Sequence, residues 1–275
     1  MAANTQAEML GVSSGERAGL SERGKVTAHG AGSFSALLAI TQRELTSLFF
    51  SPIAYVVGFI FLALTGYSFM TDTMVPGTDA TMQPLFAQMG AVLVFALPLL
   101  TMRSISEEFA TGAIESLMTA PVTDTAVITG KFLGALCFYV ILLATTLVHF
   151  ILMNVYTAPS NPAMSQVLVG YLGMVLLGGL FTSIGIFASS CTRHQLLAAV
   201  LSMGVLSVIS FVADYGAEYG GSAWVKHLCA YVNAFGHFDE FSKGMLDTRS
   251  IVYFVSGIVF FLFLATKVQE SRRWR

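Results

Sequence analysis

The sequence predicts an all-α integral membrane protein with six transmembrane helices. Of its 275 residues, 55% are hydrophobic and 11% are charged, whereas soluble domains usually carry about 25% charged residues. Six apolar segments approach the roughly 20 residues that a helix needs to cross the hydrocarbon core. Their apolar stretches, at 53–70, 84–102, 132–153, 167–189, 196–213 and 251–266, contain no Asp, Glu, Lys or Arg. The basic residues are concentrated in alternate loops between these segments, as expected for a polytopic membrane protein.

Two regions of different composition follow one another along the chain. Residues 1–33 are polar, rich in Ala, Gly, Ser and Glu, and lack an apolar core of signal-peptide length, so they are predicted to form a disordered cytoplasmic tail. Residues 34–275 are predicted to form a single six-span domain. Its spans lie at about 53–70, 84–102, 126–154, 167–190, 196–213 and 251–267.

The distribution of Lys and Arg predicts the orientation. If the N-terminus lies in the cytoplasm, eleven basic residues fall on the inner side and only Lys226, Lys243 and Arg249 fall on the outer side. Cytoplasmic loops carry the excess of Lys and Arg in membrane proteins. Both termini are therefore predicted to be cytoplasmic.

A helix lying in the headgroup plane is predicted just before the first span. In "SFSALLAITQRELTSLFFSP", apolar residues recur at helical spacing on one side, while Gln42, Arg43, Glu44 and Ser47 take the other side. This pattern is typical of an interfacial amphipathic helix. A cytosolic helix is the alternative, but the immediate junction with a span at Pro52, a residue that suits a first helical turn, favours the interfacial position.

The turn between the second and third spans is acidic and has a helical pattern. It carries Glu107, Glu108 and Glu115, and either Thr123 or Asp124 is a suitable N-cap for the helix that follows. On the predicted topology this turn faces the cytoplasm. The residues alone leave two interpretations open: a partner docks on the turn and pushes both adjoining spans, or the turn is merely solvated.

The outer loop 214–250 carries apolar side chains at a spacing of 4, 3, 4 and 3 residues. Short helices that dip into the outer leaflet are predicted, with a break near Gly236; a loop packed on the outer helix ends is the alternative. The side chains in this pattern are Trp224, Leu228, Tyr231, Phe235 and Phe238.

No pattern for bond-making chemistry is present in the sequence. The P-loop signature, a catalytic triad signature and a zinc cluster are absent, and Cys137, Cys191 and Cys229 are far apart. His149 has no evident mate for a bis-histidine haem, and the net charge of −2 gives no argument for nucleic acid. We therefore expect no cofactor, no metal and no catalysis by the chain itself.

Small residues four positions apart occur in two spans. Gly130 with Gly134, and Gly178 with Thr182, have the spacing that lets helix backbones approach closely. The spacing fits either packing within the chain or a dimer seam, and the sequence leaves both open.

Three stretches resemble the permeases of type-2 ABC exporters, the ABC-2 family. "EEFATGAIESLMTAPVTDTAVITGKFLGAL" resembles the family's loop between the second and third spans. "RELTSLFFSPIAYVV" and "HFDEFSKGMLDTRSIVYFVSGIVFFLFLATKVQESRRWR" resemble the start of the first span and the C-terminal end in the gliding-motility branch. The resemblance extends from about Ser33 to Arg275, with one departure at Ser250, where the branch commonly has an acidic residue.

The resemblance implies the partners and the location. Such a permease forms half of a transmembrane pore in the bacterial cytoplasmic (inner) membrane and dimerises with itself or with a related permease. A separate cytoplasmic ABC ATPase subunit binds the dimer and hydrolyses ATP.

The resemblance also implies roles for particular residues. The turn that carries Glu107, Glu108 and Glu115 would be a coupling helix seated on the ATPase, with Arg43 and Glu44 beside it. The outer segment with Trp224, Leu228, Tyr231, Phe235 and Phe238 would shape the exit gate.

Three other functions stay open at this point. A permease of the same family could serve the maturation of an extracytoplasmic metalloenzyme. A membrane anchor could recruit cytosolic proteins without transport, in which case ATP hydrolysis by the partner would not depend on cargo. A membrane-embedded enzyme or redox carrier would show turnover or a bound chromophore.

Overall fold

The computed structural model describes residues 35–73, 81–107, 123–156 and 164–273. All regular structure within these ranges is helical, so the all-α prediction is confirmed. The helices are numbered in chain order, beginning with α1 at 35–49. The others are α2 Pro52–Ser68, α3 Gln83–Thr101, α4 Asp124–Thr145, α5 Leu147–Tyr156, α6 Met164–Cys191, α7 Gln195–Ser207, α8 Ala213–Tyr219, α9 Ala223–Val232, α10 Ala234–Ser242 and α11 Thr248–Arg273.

Six helical stretches are long and apolar enough to cross a membrane, which confirms the six-span prediction. They extend beyond the predicted ends because a helix does not stop where the apolar run stops. The first continues past α2 as a π-helix to Thr73, the third joins α4 to α5 at Thr146, and the fifth joins α7 to α8 through a π-helix. The stretches are Pro52–Thr73, Gln83–Thr101, Asp124–Tyr156, Met164–Cys191, Gln195–Tyr219 and Thr248–Ser271.

Two helix starts follow the local signals in the sequence. Pro52 occupies the first turn of α2, where its missing N–H leaves no hydrogen bond unmade. Thr123 is the N-cap of α4, and its hydroxyl oxygen accepts a hydrogen bond from the Ala126 N–H at 3.3 Å. The capping prediction for Thr123 is confirmed.

Helix α6 is the central element of the bundle. It packs against α3, α4, α7, α10 and α11, and its side chains are apolar or small on all sides, as expected for a helix surrounded by other helices. Close approach depends on its glycines: a Cβ at Gly178 would collide with the Tyr139 ring, and one at Gly185 with the Thr101 side chain. The glycine spacing in α6 therefore serves packing within the chain.

Helix α1 crosses α4 at the other pair of spaced glycines. A Cβ at Gly130 would lie 2.8 Å from Cγ2 of Ile40, and one at Gly134 would lie 2.7 Å from Cβ of Glu44. The apolar side of α1 is only partly covered, since Leu48 is buried while Leu38 is exposed. The position of α1 in the headgroup plane stays a prediction.

The loop between the fifth and sixth spans forms two helices that meet at Asn233. The Asn233 side-chain oxygen accepts a hydrogen bond from the Phe235 N–H at 3.0 Å, which caps α10, while its amide donates to Asp214 Oδ1 at 2.8 Å. The break predicted near Gly236 is wrong by three residues, because Asn233 both ends α9 and caps α10. Helix α10 is buried against α6 and α3, whereas α9 has no buried residue.

We predict that Gly178→Ala destabilises the bundle, whereas Gly204→Ala does not. The new methyl group at position 178 meets the fully buried Tyr139 ring, whose hydroxyl donates to the Met174 carbonyl at 2.8 Å, and overpacking of this kind costs about 1–3 kcal/mol. Nothing lies within 4 Å of a Cβ at Gly204. Unfolding of both purified variants by SDS in mixed micelles measures the difference, and equal stabilities would contradict the packing.

Candidate functional site

The segment that follows the second span is held to α6 by one hydroxyl group. Ser189 Oγ accepts hydrogen bonds from the backbone N–H of Ile105 at 3.1 Å and of Ser106 at 3.0 Å. The same hydroxyl donates to the Met102 carbonyl at 3.1 Å. Ser189 is fully buried, so these bonds face no competition from water, and they fix the backbone of residues 102–106 to the end of α6.

An apolar side chain on the same segment adds a second attachment. Ile105 is buried in a small cluster with Ile128, Phe132, Ile186 and Ala265, which come from α4, α6 and α11. In the sequence, Ile105, Phe109, Ala113 and Leu117 are spaced four positions apart, which predicts an apolar side of the turn. The buried position of Ile105 fits that pattern. The rest of that side, from Phe109 onward, lies outside the described residues.

A buried ionic cluster, formed by Glu44, Ser104 and Lys131, joins three elements. Lys131 Nζ on α4 donates to the Ser104 carbonyl oxygen and lies 3.5 Å from Glu44 Oε2 on α1. Ser104 Oγ donates to Glu44 Oε1 at 2.5 Å. The Lys131 side chain is 4% exposed and that of Glu44 is 16% exposed, so both charges are largely withdrawn from water. We refer to these residues as the Glu44–Lys131 cluster.

The position of Glu44 differs from the expected one. Helical periodicity places it with Arg43 on the polar side of α1, but its Cβ faces Gly134 and its carboxylate faces Lys131. The reason is the crossing of α1 over α4, since the absence of a side chain at Gly134 lets the two helices approach. A buried pair adds little net stability, but the loss of one partner leaves an uncompensated buried charge. The cluster therefore specifies how α1 sits on α4.

Glu107 forms an ion pair with Arg103 at the edge of the segment. The Nε–Oε2 distance is 2.9 Å and the Nη2–Oε1 distance is 3.0 Å, the two-pronged geometry in which guanidinium and carboxylate match. The hydrogen bond to Glu107 raises the pKa of the Arg103 guanidinium. The side chains are 36% and 40% exposed, so the pair lies at the surface, where a partner can reach it.

A cavity of about 480 Å³ lies between α1, the start of α2 and the segment after α3. Arg43 is exposed and lines this cavity, as do Glu44, Arg103 and Glu107. Three of the five predicted coupling-site residues, Arg43, Glu44 and Glu107, therefore line one cavity. Glu108 and Glu115 lie outside the described residues.

The residues of the predicted outer gate fall into two groups. Trp224, Leu228 and Tyr231 are exposed on α9. Phe235 is half-buried and Phe238 is buried on α10. Because the chain breaks at Asn233, the five side chains do not form one continuous helical stripe. Their role in a gate stays a prediction.

A buried polar network at this end was not predicted from the sequence. Ser250 is fully buried; its Oγ donates to Glu240 Oε2 at 2.5 Å and lies 3.1 Å from His237 Nδ1. The departure at position 250 was the only signal of this network in the sequence. Ser250 bonds to the carboxylate of Glu240 on α10, and the sequence around position 250 does not show this contact between helices.

The described residues contain no group of three His, Cys, Asp or Glu side chains placed to hold a metal ion. His149 instead packs edge-on against Phe69, with ring centroids 4.9 Å apart. At each end of the bundle, several polar groups bond across elements: Ser104 and Lys131 at one end, and Asn233 and Ser250 at the other. The arrangement can hold helices in register and present charge to a partner.

Six helices that are long and apolar enough to cross a membrane define a multi-pass α-helical membrane protein. The family model described as "ABC-2 family transporter protein" matches residues 31–222, more than half of the chain. The chain therefore belongs to the ABC-2 transporter family, and the resemblance is confirmed at that level. The search of curated proteins found no match. The C-terminal stretch that resembles the gliding-motility branch begins at His237, beyond the matched residues.

We predict that Lys131→Met and Glu44→Gln are not additive. Each single change leaves a buried charge without its partner, which costs about 3–5 kcal/mol, whereas the double variant removes both charges. The loss of stability in the double variant should therefore be smaller than the sum of the two single losses. SDS or thermal unfolding of the three variants measures it. Additive losses would mean that the two side chains act independently.

Proposed function

We propose that this chain is the permease subunit of an ABC exporter, driven by ATP hydrolysis on a separate cytoplasmic ATPase subunit. The observation that supports the proposal most strongly is the attachment of the segment after the second span. Residues 102–107 bond to α1 through Glu44, to α4 through Lys131 and to α6 through Ser189. A displacement applied to this segment would be passed to several spans together.

The ATPase subunit would dock on the turn that carries Glu107. Of the three glutamates in the turn, Glu107 lies within the described residues. Its ion pair with Arg103 holds it at the surface, beside the cavity that Arg43 lines. Glu108 and Glu115, further along the turn, would add to the acidic surface. Arg43, exposed on α1, would contact the same partner from the side.

The proposal requires that this end of the bundle face the cytoplasm. The excess of Lys and Arg supports that orientation, because the Glu44–Lys131 cluster lies at the same end as Arg103 and opposite the α9–α10 loop. The bacterial inner membrane, with both termini inside, is the location that we propose.

The transport path would lie between two protomers. A groove of about 420 Å³ between α2, α3 and the π-helix after α7 is lined by apolar side chains, including Phe95 and Phe211, with Gln88 as its one polar side chain. Such a wall suits an amphipathic or lipid-linked cargo better than an inorganic ion, since an ion would need a replacement for its hydration shell. A second permease protomer, identical or related, would complete the path.

A role in gliding motility is the more specific form of the proposal. It rests on the two stretches that resemble that branch, one before the first span and one at the C-terminal end. In the second stretch, Ser250 and His237 belong to one buried network with Glu240, so the departure at Ser250 leaves an acidic group at the same place.

We predict that Glu107→Lys weakens capture of the ATPase subunit, and that Glu108→Lys in addition weakens it further. Reversal places a positive charge where the proposed docking surface needs a negative one. Co-purification of the ATPase subunit with tagged permease from membranes measures capture, and the yield of membrane-inserted permease should not change.

The exchange variant Arg103→Glu with Glu107→Arg separates docking from local stability. This variant keeps an ion pair between positions 103 and 107, with the two charges exchanged. If Glu107 served only the local structure, capture of the ATPase subunit would therefore recover. We expect wild-type stability with capture still impaired. Unchanged recovery of the ATPase subunit with Glu107→Lys would overturn the docking proposal, and rescue by the exchange would reduce Glu107 to a partner of Arg103.

A further inference from the structure

A long furrow runs along the outer surface of α11, at the opposite end from the Glu44–Lys131 cluster. Three adjoining cavities lie there, with volumes of about 580, 810 and 610 Å³. The first and second share the lining residues Tyr231 and Arg249. The second and third share Val252, Ser256 and Phe260. The shared residues place the three cavities next to one another on the exposed side of α11. We call these three adjoining cavities together the α11 furrow.

The chemistry of the furrow changes from one end to the other. At the loop end it is lined by Arg249 with the exposed aromatic side chains of Trp224 and Tyr231. Along α11 it is lined by Val252, Ser256, Phe260 and, further on, Phe263, apolar apart from one hydroxyl. A cation beside aromatic rings at one end of an apolar channel matches a lipid with a charged headgroup.

The Arg249 guanidinium has no ion-pair partner within the described part of the chain. The nearest acidic residue in sequence, Asp247, accepts a hydrogen bond from the Arg249 backbone N–H at 2.9 Å. No carboxylate lines any of the three cavities; the other ionisable groups that do so, apart from tyrosine, are His227 and His237. The loop end of the furrow is therefore suited to an anion.

The length of the furrow fits one leaflet. Arg249 and Phe260 are eleven positions apart on one helix, which corresponds to about 16 Å at about 1.5 Å per residue. Half of a hydrocarbon core of about 30 Å is nearly the same distance. An acyl chain that lies along Val252, Ser256 and Phe260 would thus end near the bilayer midplane while its headgroup stays beside Arg249.

We propose that the α11 furrow binds one anionic phospholipid, with its phosphate at Arg249 and one acyl chain along α11. Guanidinium binds a phosphate through two parallel hydrogen bonds. A second copy of the chain is a weaker occupant. Most acidic side chains described at this end already have partners: Asp214, Asp239 and Glu240 bond to Asn233, Lys243 and Ser250, whereas Glu218 on α8 stays available.

The site can be tested by native mass spectrometry. The purified full-length protein is reconstituted into vesicles of phosphatidylglycerol and phosphatidylcholine and then extracted with detergent for the measurement. We expect one phosphatidylglycerol per chain to survive detergent exchange, and Arg249→Gln to reduce its retention about tenfold or more, because a charged hydrogen-bonded contact is lost. Ser256→Phe, which fills the furrow without changing its charge, should reduce retention as well.

Two matched variants serve as controls. Lys226→Gln removes a charge from the same loop without lining the furrow, and Val200→Phe adds a ring at an exposed position of α7. Both should retain the lipid. Excess inorganic phosphate should not displace it, because the acyl chain contributes to binding.

Several results would overturn the proposal. Equal retention in Arg249→Gln and wild type would show that Arg249 does not bind the headgroup, and equal loss in the controls would show general destabilisation. Equal retention of phosphatidylcholine would show that the charge is not recognised, and displacement by inorganic phosphate would identify a simple anion site. Loss of a dimer in Arg249→Gln without loss of lipid would assign the furrow to a second copy.

Discussion

The buried ion pair between Glu44 and Lys131 is the interaction on which the arrangement of the bundle's proposed cytoplasmic end depends. Separating two oppositely charged groups that are buried away from water costs several kcal/mol, because each would be left without its partner. Here Glu44 belongs to α1 and Lys131 to α4, so the pair holds the two helices together. Ser104 bonds to both, so the segment after the second span is fixed to α1 and α4 at once. Rigid attachment is what a turn needs if it is to pass a displacement to the membrane-spanning helices.

The rest of the bundle supports this linkage through α6. Its glycines admit Tyr139 from α4 and Thr101 from α3 at close range, and its Ser189 holds the backbone that follows α3. Helices α3 and α6 are the most buried of the spans, while the other four spans leave broad apolar surfaces uncovered. In a bilayer those surfaces face lipid or another protomer, and the α11 furrow has a charged end suited to a headgroup.

The parts of the structure that depend on local composition could be predicted from the sequence. Apolar runs predict the spans, Pro52 and Thr123 predict helix starts, and glycine spacing predicts close packing without naming the partner. The inward position of Glu44 could not be predicted, because periodicity assigns a side of a helix but not the helix that covers it. The same limit explains the network around Ser250, which depends on contacts between α10 and α11. The break at Asn233 does have a local signal, because asparagine is a favoured N-cap residue, but the apolar spacing that continues across it predicted a later break.

If the Glu44–Lys131 cluster holds these elements together, α1, the segment after α3, and α4 move as one body when the ATPase subunit binds and hydrolyses ATP. This claim can be tested by measuring the distance between spin labels at Thr46 on α1 and Thr125 on α4 by electron paramagnetic resonance. The labelled protein is measured in the assembled complex, with its three native cysteines replaced. The account predicts one distance population that is the same with and without bound ATP, and a broadened one when Lys131 is replaced by Met. A second population that appears with ATP in the otherwise native protein would contradict it.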